Sequence, residues 1–191
     1  MQETTFHLAK EEDAAELLTV YEPYLSTGIT FETELPSVEE FRRRIREISS
    51  FYPYLAARRG GRIVGYAYAH RQLERAAYRW NAELSVYLAP NERGHGLGRT
   101  LYEKLIAILK LQNIQTVYAI VTSQNAASEH LHEGMGFHPS GRFEEAGYKD
   151  GKWYGTTWYD KVIGTPHAAP KEIVSLWELP LKEIERILRE D

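Results

Sequence analysis

The 191-residue sequence contains no cysteine. That excludes a disulfide scaffold, a thiolate metal site, an iron–sulfur cluster and a cysteine nucleophile. It also lacks any apolar run of about 18 residues, the length a membrane-spanning helix needs. Met1-Gln2-Glu3-Thr4-Thr5 has neither the basic nor the apolar stretch of a signal peptide. A soluble, cytoplasmic protein is therefore expected, with no membrane partner. Positive charge is not in excess: 23 Lys and Arg against 27 Asp and Glu leave a net charge of −4. A domain that held nucleic acid by its phosphates would be basic, so no nucleic-acid partner is expected either. There is no internal repeat and no low-complexity tract.

What is present has the balance of a globular chain of one domain, or one domain and an appendage. Residues 5–8 read as a short strand and residues 11–24 as a helix, with Ala14, Leu17, Leu18 and Tyr21 at helical spacing. Ser37 and Glu40 have capping-box spacing at the start of a second helix whose buried stripe is Phe41, Ile45 and Ile48. Residues 54–58 and 62–71 form a hairpin around Gly60-Gly61. Residues 83–88 are a strand with Glu83, Ser85 and Tyr87 on one face and Leu84, Val86 and Leu88 on the other. A helix at 98–111, a strand at 116–121 and a helix at 125–135 follow. A hairpin of residues 137–148 and 153–162 then turns at Lys149-Asp150-Gly151. The order β-α-α-β-β-β-α-β-α-β-β predicts an α+β fold, a mixed sheet flanked by helices. Near Ile163 the character changes to a linker-like stretch, Gly164-Thr165-Pro166 and Ala168-Ala169-Pro170. Pro180 opens a last amphipathic helix carrying Leu181, Ile184, Ile187 and Leu188. We read residues 1–163 as one domain and 164–191 as an extension that packs on the core or on a partner subunit.

The most informative segment is Arg93-Gly94-His95-Gly96-Leu97-Gly98-Arg99-Thr100, between a strand and a helix. Alternate glycines let backbone N–H groups converge, and the helix start adds free amides and the positive end of its dipole. This suits a phosphate or pyrophosphate, with Arg93 and Arg99 beside it; a glycine-rich turn that holds nothing is the alternative. A dinucleotide fingerprint fails because Arg99 stands where its third glycine belongs, and a P-loop fails for want of Gly-Lys-Ser/Thr.

Arg93-x-x-Gly96-x-Gly98 resembles the Gln/Arg-x-x-Gly-x-Gly/Ala signature of the GCN5-related N-acetyltransferases (GNAT). Two further blocks stand in that family's order: Glu83-Leu84-Ser85-Val86-Tyr87-Leu88, and Ser123-Gln124-Asn125-Ala126-Ala127-Ser128 leading to Leu131-His132 and Gly136-Phe137. Within the family the likeness is to the phosphinothricin and methionine sulfoximine/sulfone acetyltransferases. It is carried by Thr30-Phe31, Ala77-Tyr78-Arg79-Trp80 and Gly147-Tyr148-Lys149-Asp150-Gly151-Lys152-Trp153. The resemblance spans about residues 4–163 and implies the acyl-CoA N-acyltransferase fold, acetyl-CoA as co-substrate and a homodimer. The cofactor site it implies comprises the backbone of Val86, Tyr87 and Leu88, the loop Arg93, Gly94, His95, Gly96, Leu97, Gly98 and Arg99, and Asn125 with Ser128.

Amine acetylation needs a neutral amine, a polarised thioester carbonyl and a proton for the departing thiolate. Glu83, a carboxylate in an apolar strand, is the candidate base, because burial would bring its pKa towards the working pH; a structural ion pair with an arginine is the alternative. His132 is a candidate acid, or the base if Glu83 is only structural; its alternative is a helix histidine satisfied by a nearby carbonyl. Asn125 can reach the cofactor arm or cap its helix. No metal is expected, since His130 and His132 lie on different helix faces. Phe31, Arg75 and Tyr78 match positions of the acceptor pocket, and an Arg there suits a carboxylate. Leu73 stands where the phosphinothricin enzymes tend to carry lysine, and Glu74 adds negative charge. The expected activity is N-acetylation of the α-amine of a small amino-acid-like compound by direct attack in a ternary complex. A protein or peptide acetyltransferase, or a non-catalytic acyl-CoA-binding module, remain as alternatives.

Overall fold

Large and small side chains alternate along the central strands, and that alternation fixes what each face of the sheet can hold. The computed structural model describes residues 3–165 and 169–190. Its regular elements are β1 (Thr4–Leu8), α1 (Ala14–Tyr21), α2 (Val38–Ser49), β2 (Tyr54–Arg59), β3 (Arg62–Arg71), β4 (Asn81–Leu88), α3 (Leu97–Leu111), β5 (Thr116–Thr122), α4 (Ala126–Gly134), β6 (His138–Lys149), β7 (Lys152–Val162) and α5 (Leu181–Arg189). The strands form one seven-stranded sheet in the order β1-β2-β3-β4-β5-β7-β6. Only β4 and β5 run parallel; every other pair is antiparallel. This is the mixed α+β architecture that the element order predicts.

In β2 and β3 the residues Tyr54, Ala56 and Tyr66 pack with α1 and α2, against Leu17, Tyr21, Phe41 and Ile45. Their neighbours Leu55, Ala57, Ala67 and Ala69 face the other way, where the small alanines leave room for the apolar stripe of α3, Leu101, Leu105, Ile108 and Leu109. Of the capping box expected at the start of α2, only one half forms: Ser37 Oγ accepts from Glu40 N–H at 3.1 Å, while the Glu40 carboxylate pairs with Arg43 and Arg44. The helix expected over 11–24 is α-helical only across Ala14–Tyr21, with 3₁₀ turns at Glu11–Asp13 and Glu22–Tyr24. Asp13 Oδ2 draws the Lys10 N–H to 2.9 Å, and Pro23 has no N–H to continue the ladder.

Strands β4 and β5 stay together for only three residue pairs, Asn81–Thr116 to Glu83–Tyr118. Beyond these, β4 continues on β3 as far as Leu88, while β5 continues on β7 as far as Thr122. The two middle strands therefore splay apart immediately after Glu83.

The extension packs on its own chain. Leu176, Ile184 and Ile187 enter the same core as α3. Lys104 of α3, itself buried, donates from Nζ to the Ile187 carbonyl at 2.9 Å and to the Glu190 carbonyl. Gln112 Nε2 donates to Val174 O at 2.9 Å, and Trp80 Nε1 to Lys171 O at 2.8 Å. Of the linker-like stretch, Pro166 and Ala168 lie outside the described residues. Ile184 is 3% exposed, so Ile184→Ala should cost about 2–5 kcal/mol and lower Tm by roughly 5–15 °C. The exposed Leu181 serves as the control: Leu181→Ala should leave Tm in place. Equal melting curves for both variants would remove the extension from the folded core.

Candidate active site

The glycine loop divides its work between conformation and packing. Gly94 and Gly96 have φ of 78° and 83°, a region that side-chain-bearing residues rarely enter. A Cβ at either would meet nothing within 4 Å, so the requirement is for the backbone angle and not for space. Gly98 has no such angle; a Cβ there would sit at ordinary van der Waals distance, 3.5 Å from Leu131 and 3.6 Å from Leu88, where α3 meets α4 and β4. Gly96 is the N-cap of α3 and supplies no side-chain cap. The first amide bonded back is that of Thr100, to Gly96 O at 3.1 Å. The N–H groups of Leu97, Gly98 and Arg99 thus precede the helix ladder at the positive end of a 15-residue helix. These uncapped amides fit a pyrophosphate, and with it acetyl-CoA.

The two flanking arginines are placed differently. The Arg93 guanidinium lies 4.5 Å from the centre of the Tyr24 ring, beside the loop. Arg99 instead donates to Gly134 O at 2.8 Å and lies near Glu103, so its charge is partly turned to the end of α4. His95 is exposed at the loop tip.

The splay exposes one edge of β4. Ala89 N–H donates to Val64 O at 2.9 Å, and Leu88 stands opposite Gly65. In an antiparallel ladder that makes Leu88, and by alternation Val86, a residue whose own N–H and C=O point away from β3. The Val86 amide therefore projects into the gap towards β5. Leu88 does too, but Tyr24 Oη occupies it, accepting from Leu88 N–H at 2.9 Å and donating to Leu88 O at 2.7 Å. The Tyr87 amide is spent on β3; its ring packs edge-on against Tyr21 and Tyr24.

Glu83 lies where the gap opens, on the α1–α2 face, with its side chain 18% exposed. Burial pushes its carboxyl above the ordinary range, and His70 partly offsets this. Among the described residues no arginine pairs with it; its titratable neighbour is His70, 3.8 Å away. His132 is on the opposite face, 2% exposed, stacked on Tyr159 and edge-on to Tyr102 and Phe137. Its Nδ1 lies 2.7 Å from Ser128 O and 3.3 Å from Ser128 Oγ. A carbonyl only accepts, so the hydrogen sits on Nδ1 and Nε2 keeps a lone pair, with no partner among the described residues. Burial pushes the imidazole pKa down. As placed, the ring accepts at Nε2, and donating from that atom requires the imidazolium that burial disfavours. Glu83 and His132 are thus on opposite faces of the sheet, and the structure does not pair them. Asn125 caps α4, accepting from Ser128 N–H at 3.3 Å; the helix begins at Ala126, one residue inside the predicted span.

Phe31 lies over Gly147, where a Cβ would stand 2.5 Å from its ring, and 6.3 Å from the ring of Tyr154. Tyr78 closes a short 3₁₀ turn after Arg75, and both are exposed. Phe31 and Tyr78 make no ring contact, so the structure does not join the three predicted acceptor residues. Sequence reasoning gave no role to Tyr24, His70 or Lys149. Lys149 is 3% exposed, and its Nζ donates to three carbonyls, Leu25 at 2.7 Å, Thr27 at 2.8 Å and Thr30 at 2.9 Å. That clamp holds the segment bearing Phe31 against the β6–β7 turn. The aligned Tyr66, Tyr68 and His70 of β3 carried a signal for His70, but only the pairing of β3 with β4 connects it to Glu83.

Comparison with known proteins agrees with this geometry. Residues 6–158 match the family model described as an acetyltransferase (GNAT) domain. Phosphinothricin N-acetyltransferase of Alcaligenes faecalis is 37% identical over 155 residues, 80% of this chain and 79% of the relative. The L-methionine sulfoximine/L-methionine sulfone acetyltransferase of Salmonella typhimurium is 34% identical over 119 residues, 62% of this chain and 69% of the relative. Among solved structures, a GNAT superfamily phosphinothricin acetyltransferase from Sinorhizobium meliloti in complex with acetyl-CoA superposes with a TM-score of 0.84 at 30% identity, over 90% of this chain and 95% of that one. With an uncapped glycine-loop helix, a splayed central strand pair and a family match across most of its length, the chain belongs to the GNAT family and is an acetyl-CoA-dependent N-acetyltransferase.

Proposed function

We propose that the acceptor is the α-amine of a small amino-acid-like compound of the phosphinothricin or methionine sulfoximine/sulfone type, acetylated by direct attack in a ternary complex. The observation that carries this is Glu83. It is a largely buried carboxylate without an arginine partner, at the point where β4 leaves β5 and beside the free Val86 amide. The names of the relatives supply the acceptor class. Acetyl-CoA brings the activated thioester. The amides of Leu97, Gly98 and Arg99, with Arg93, take its pyrophosphate, and the Val86 N–H orients the carbonyl and stabilises charge developing on its oxygen. Glu83 removes the ammonium proton so that the amine attacks as a free base. Phe31, Tyr78 and Arg75 form the acceptor side, where the Arg75 guanidinium suits a carboxylate. His132 contributes on the other face through the open lone pair of Nε2, as a hydrogen-bond acceptor. The absence of cysteine favours direct attack over a thiol-linked acyl-enzyme.

We further read residues 1–163 as the catalytic domain and 164–191 as its extension, in a cytoplasmic homodimer. Among the described residues no helix is long and apolar enough to cross a membrane. A second copy is supported by β6, an edge strand whose hairpin exposes Phe143, Tyr148 and Trp153 at 55–61%.

Four measurements test the reading. Acetyl-CoA turnover across phosphinothricin, methionine sulfoximine, methionine sulfone, ordinary amino acids, polyamines and short peptides should favour the first three; turnover confined to peptides would overturn the acceptor class. Glu83→Gln should lower kcat by about 10²–10⁴-fold at neutral pH while acetyl-CoA affinity holds. In the unsubstituted protein kcat/KM should fall as pH drops through the raised Glu83 pKa, because the base must be ionised to accept a proton. A Glu83→Gln enzyme with full activity would remove Glu83 from the chemistry. Gly96→Val forces a β-branched residue to φ of 83° and should weaken acetyl-CoA binding by calorimetry; unchanged affinity would move the cofactor off this loop.

A further inference from the structure

Glu83 faces a group for which the proposed chemistry has no use. The β3–β4 register sets His70 directly opposite Glu83, with Nε2 3.8 Å from Oε1. The other ring nitrogen, Nδ1, lies 3.0 Å from Arg71 O. That carbonyl can only accept, so in the neutral ring Nδ1 carries the hydrogen and Nε2 presents its lone pair to the carboxyl. The backbone thereby fixes the tautomer suited to taking a proton from Glu83. The His70 side chain is 36% exposed against 18% for Glu83, so the imidazole spans the distance between the buried carboxyl and water.

We propose that His70 is a positioning residue that returns Glu83 to its ionised state, receiving at Nε2 the proton Glu83 has taken from the acceptor and releasing it to solvent. The inference rests on Glu83 acting as the base. One proton moves from the acceptor ammonium to a Glu83 oxygen, then to His70 Nε2 to give an imidazolium, then from Nε2 to water. Throughout, Nδ1–H stays on Arg71 O, and both side chains end as they began. The distance of 3.8 Å is longer than a hydrogen bond. A small rotation of the Glu83 side chain closes it, and contacts of this kind tighten when substrate is bound.

No other nearby group has the chemistry for this. Tyr68, whose ring is 5.9 Å from that of His70, is pushed up in pKa by burial. Tyr118, opposite Glu83 on β5, is pushed up by burial and by Asp160, and Tyr102 of α3 by burial. All three stay protonated and neutral near pH 7. From the α1–α2 side, Arg44 and Glu32 pair with each other at 2.5 Å. A buried carboxyl with a raised pKa sheds its proton slowly near neutrality, whereas imidazole exchanges protons in that range.

His70→Ala, assayed with the best acceptor of the panel above, should lose on the order of tenfold in kcat, since water remains as a poorer proton acceptor. Its acetyl-CoA affinity should be unchanged by calorimetry, which verifies the fold. Added imidazole should restore the rate. Removing the ring that partly offsets the rise in the Glu83 pKa should also move the acid limb of kcat/KM to higher pH. The proposal requires both the imidazole rescue and the moved limb. A His70→Ala enzyme with the original rate, an unrescued loss or an unmoved limb overturns it. Glu83→Gln separates the two ideas: if it abolishes turnover while His70→Ala fails these criteria, only the proton outlet is lost, and if it retains turnover, the base assignment itself is lost.

Discussion

Three residue pairs hold β4 to β5, and the site depends on their number stopping there. A longer ladder would satisfy the outward N–H and C=O groups of β4 within the sheet and leave no backbone donor for a ligand. The splay is maintained from both sides. Strand β5 is committed along its length to β7, from Thr116–Val162 to Thr122–Thr156. The end of β4 is held by Tyr24, whose hydroxyl takes both polar groups of Leu88, and by α3, whose Gly98 admits Leu88 and Leu131 at van der Waals distance. A half-buried backbone edge next to an uncapped helix N-terminus is costly unless water or a ligand pairs with it. The same feature that weakens the sheet at its centre makes it a binding site.

Two buried lysines show how the rest of the chain is secured around that opening. Lys149 and Lys104 each reach backbone carbonyls on a separate segment. An ammonium has three donors, and Lys149 points all three at the turn that carries Phe31, so a segment with no regular structure acquires a fixed position over the β6–β7 hairpin. Lys104 does the same for the end of α5, locking the extension onto α3. Burying a cation is costly unless it is partnered, and for Lys149 the three carbonyls supply that compensation. These segments are therefore held in single arrangements more firmly than their short apolar contacts would achieve.

The local features of the site were legible because their causes are local. The glycine spacing that permits positive φ, the Ser37 cap and the face of Glu83 in a strand of period two are each set by residues close together in sequence. So is the hairpin turn at Asp150-Gly151, where both φ values are positive. What escaped the sequence was set by partners far along the chain. His70 meets Glu83 only through the register of β3 on β4, which the irregular segment 72–80 between them does not reveal. Tyr24 reaches Leu88 across 64 positions, and Lys149 reaches Thr30 across 119. The register of β6 on β7 shifts between Phe143 and Gly147 because Gly155 admits the Phe143 and Glu144 backbone within 3.0 Å of where a Cβ would lie, another contact that spacing alone cannot supply.

The separation of Glu83 from His132 bears on how the chemistry is organised. Both groups are buried and both have pKa values moved by desolvation, but burial acts on them in opposite senses because it always opposes charge. It holds the Glu83 carboxyl closer to its neutral acid form and the His132 imidazole in its neutral base form. A carboxylate made more basic is a better proton acceptor at neutral pH; an imidazole made less basic is a poorer source of protons. The two lie on opposite faces of the sheet, with no contact between them among the described residues. Proton traffic on the acceptor side then falls to Glu83 and the half-exposed ring opposite it. His132, wedged among Tyr102, Phe137 and Tyr159, keeps a single unoccupied lone pair on the α3–α4 side. On the proposed reading, proton removal and the cofactor's immediate surroundings fall on different faces, and the short open edge of β4 lies between them.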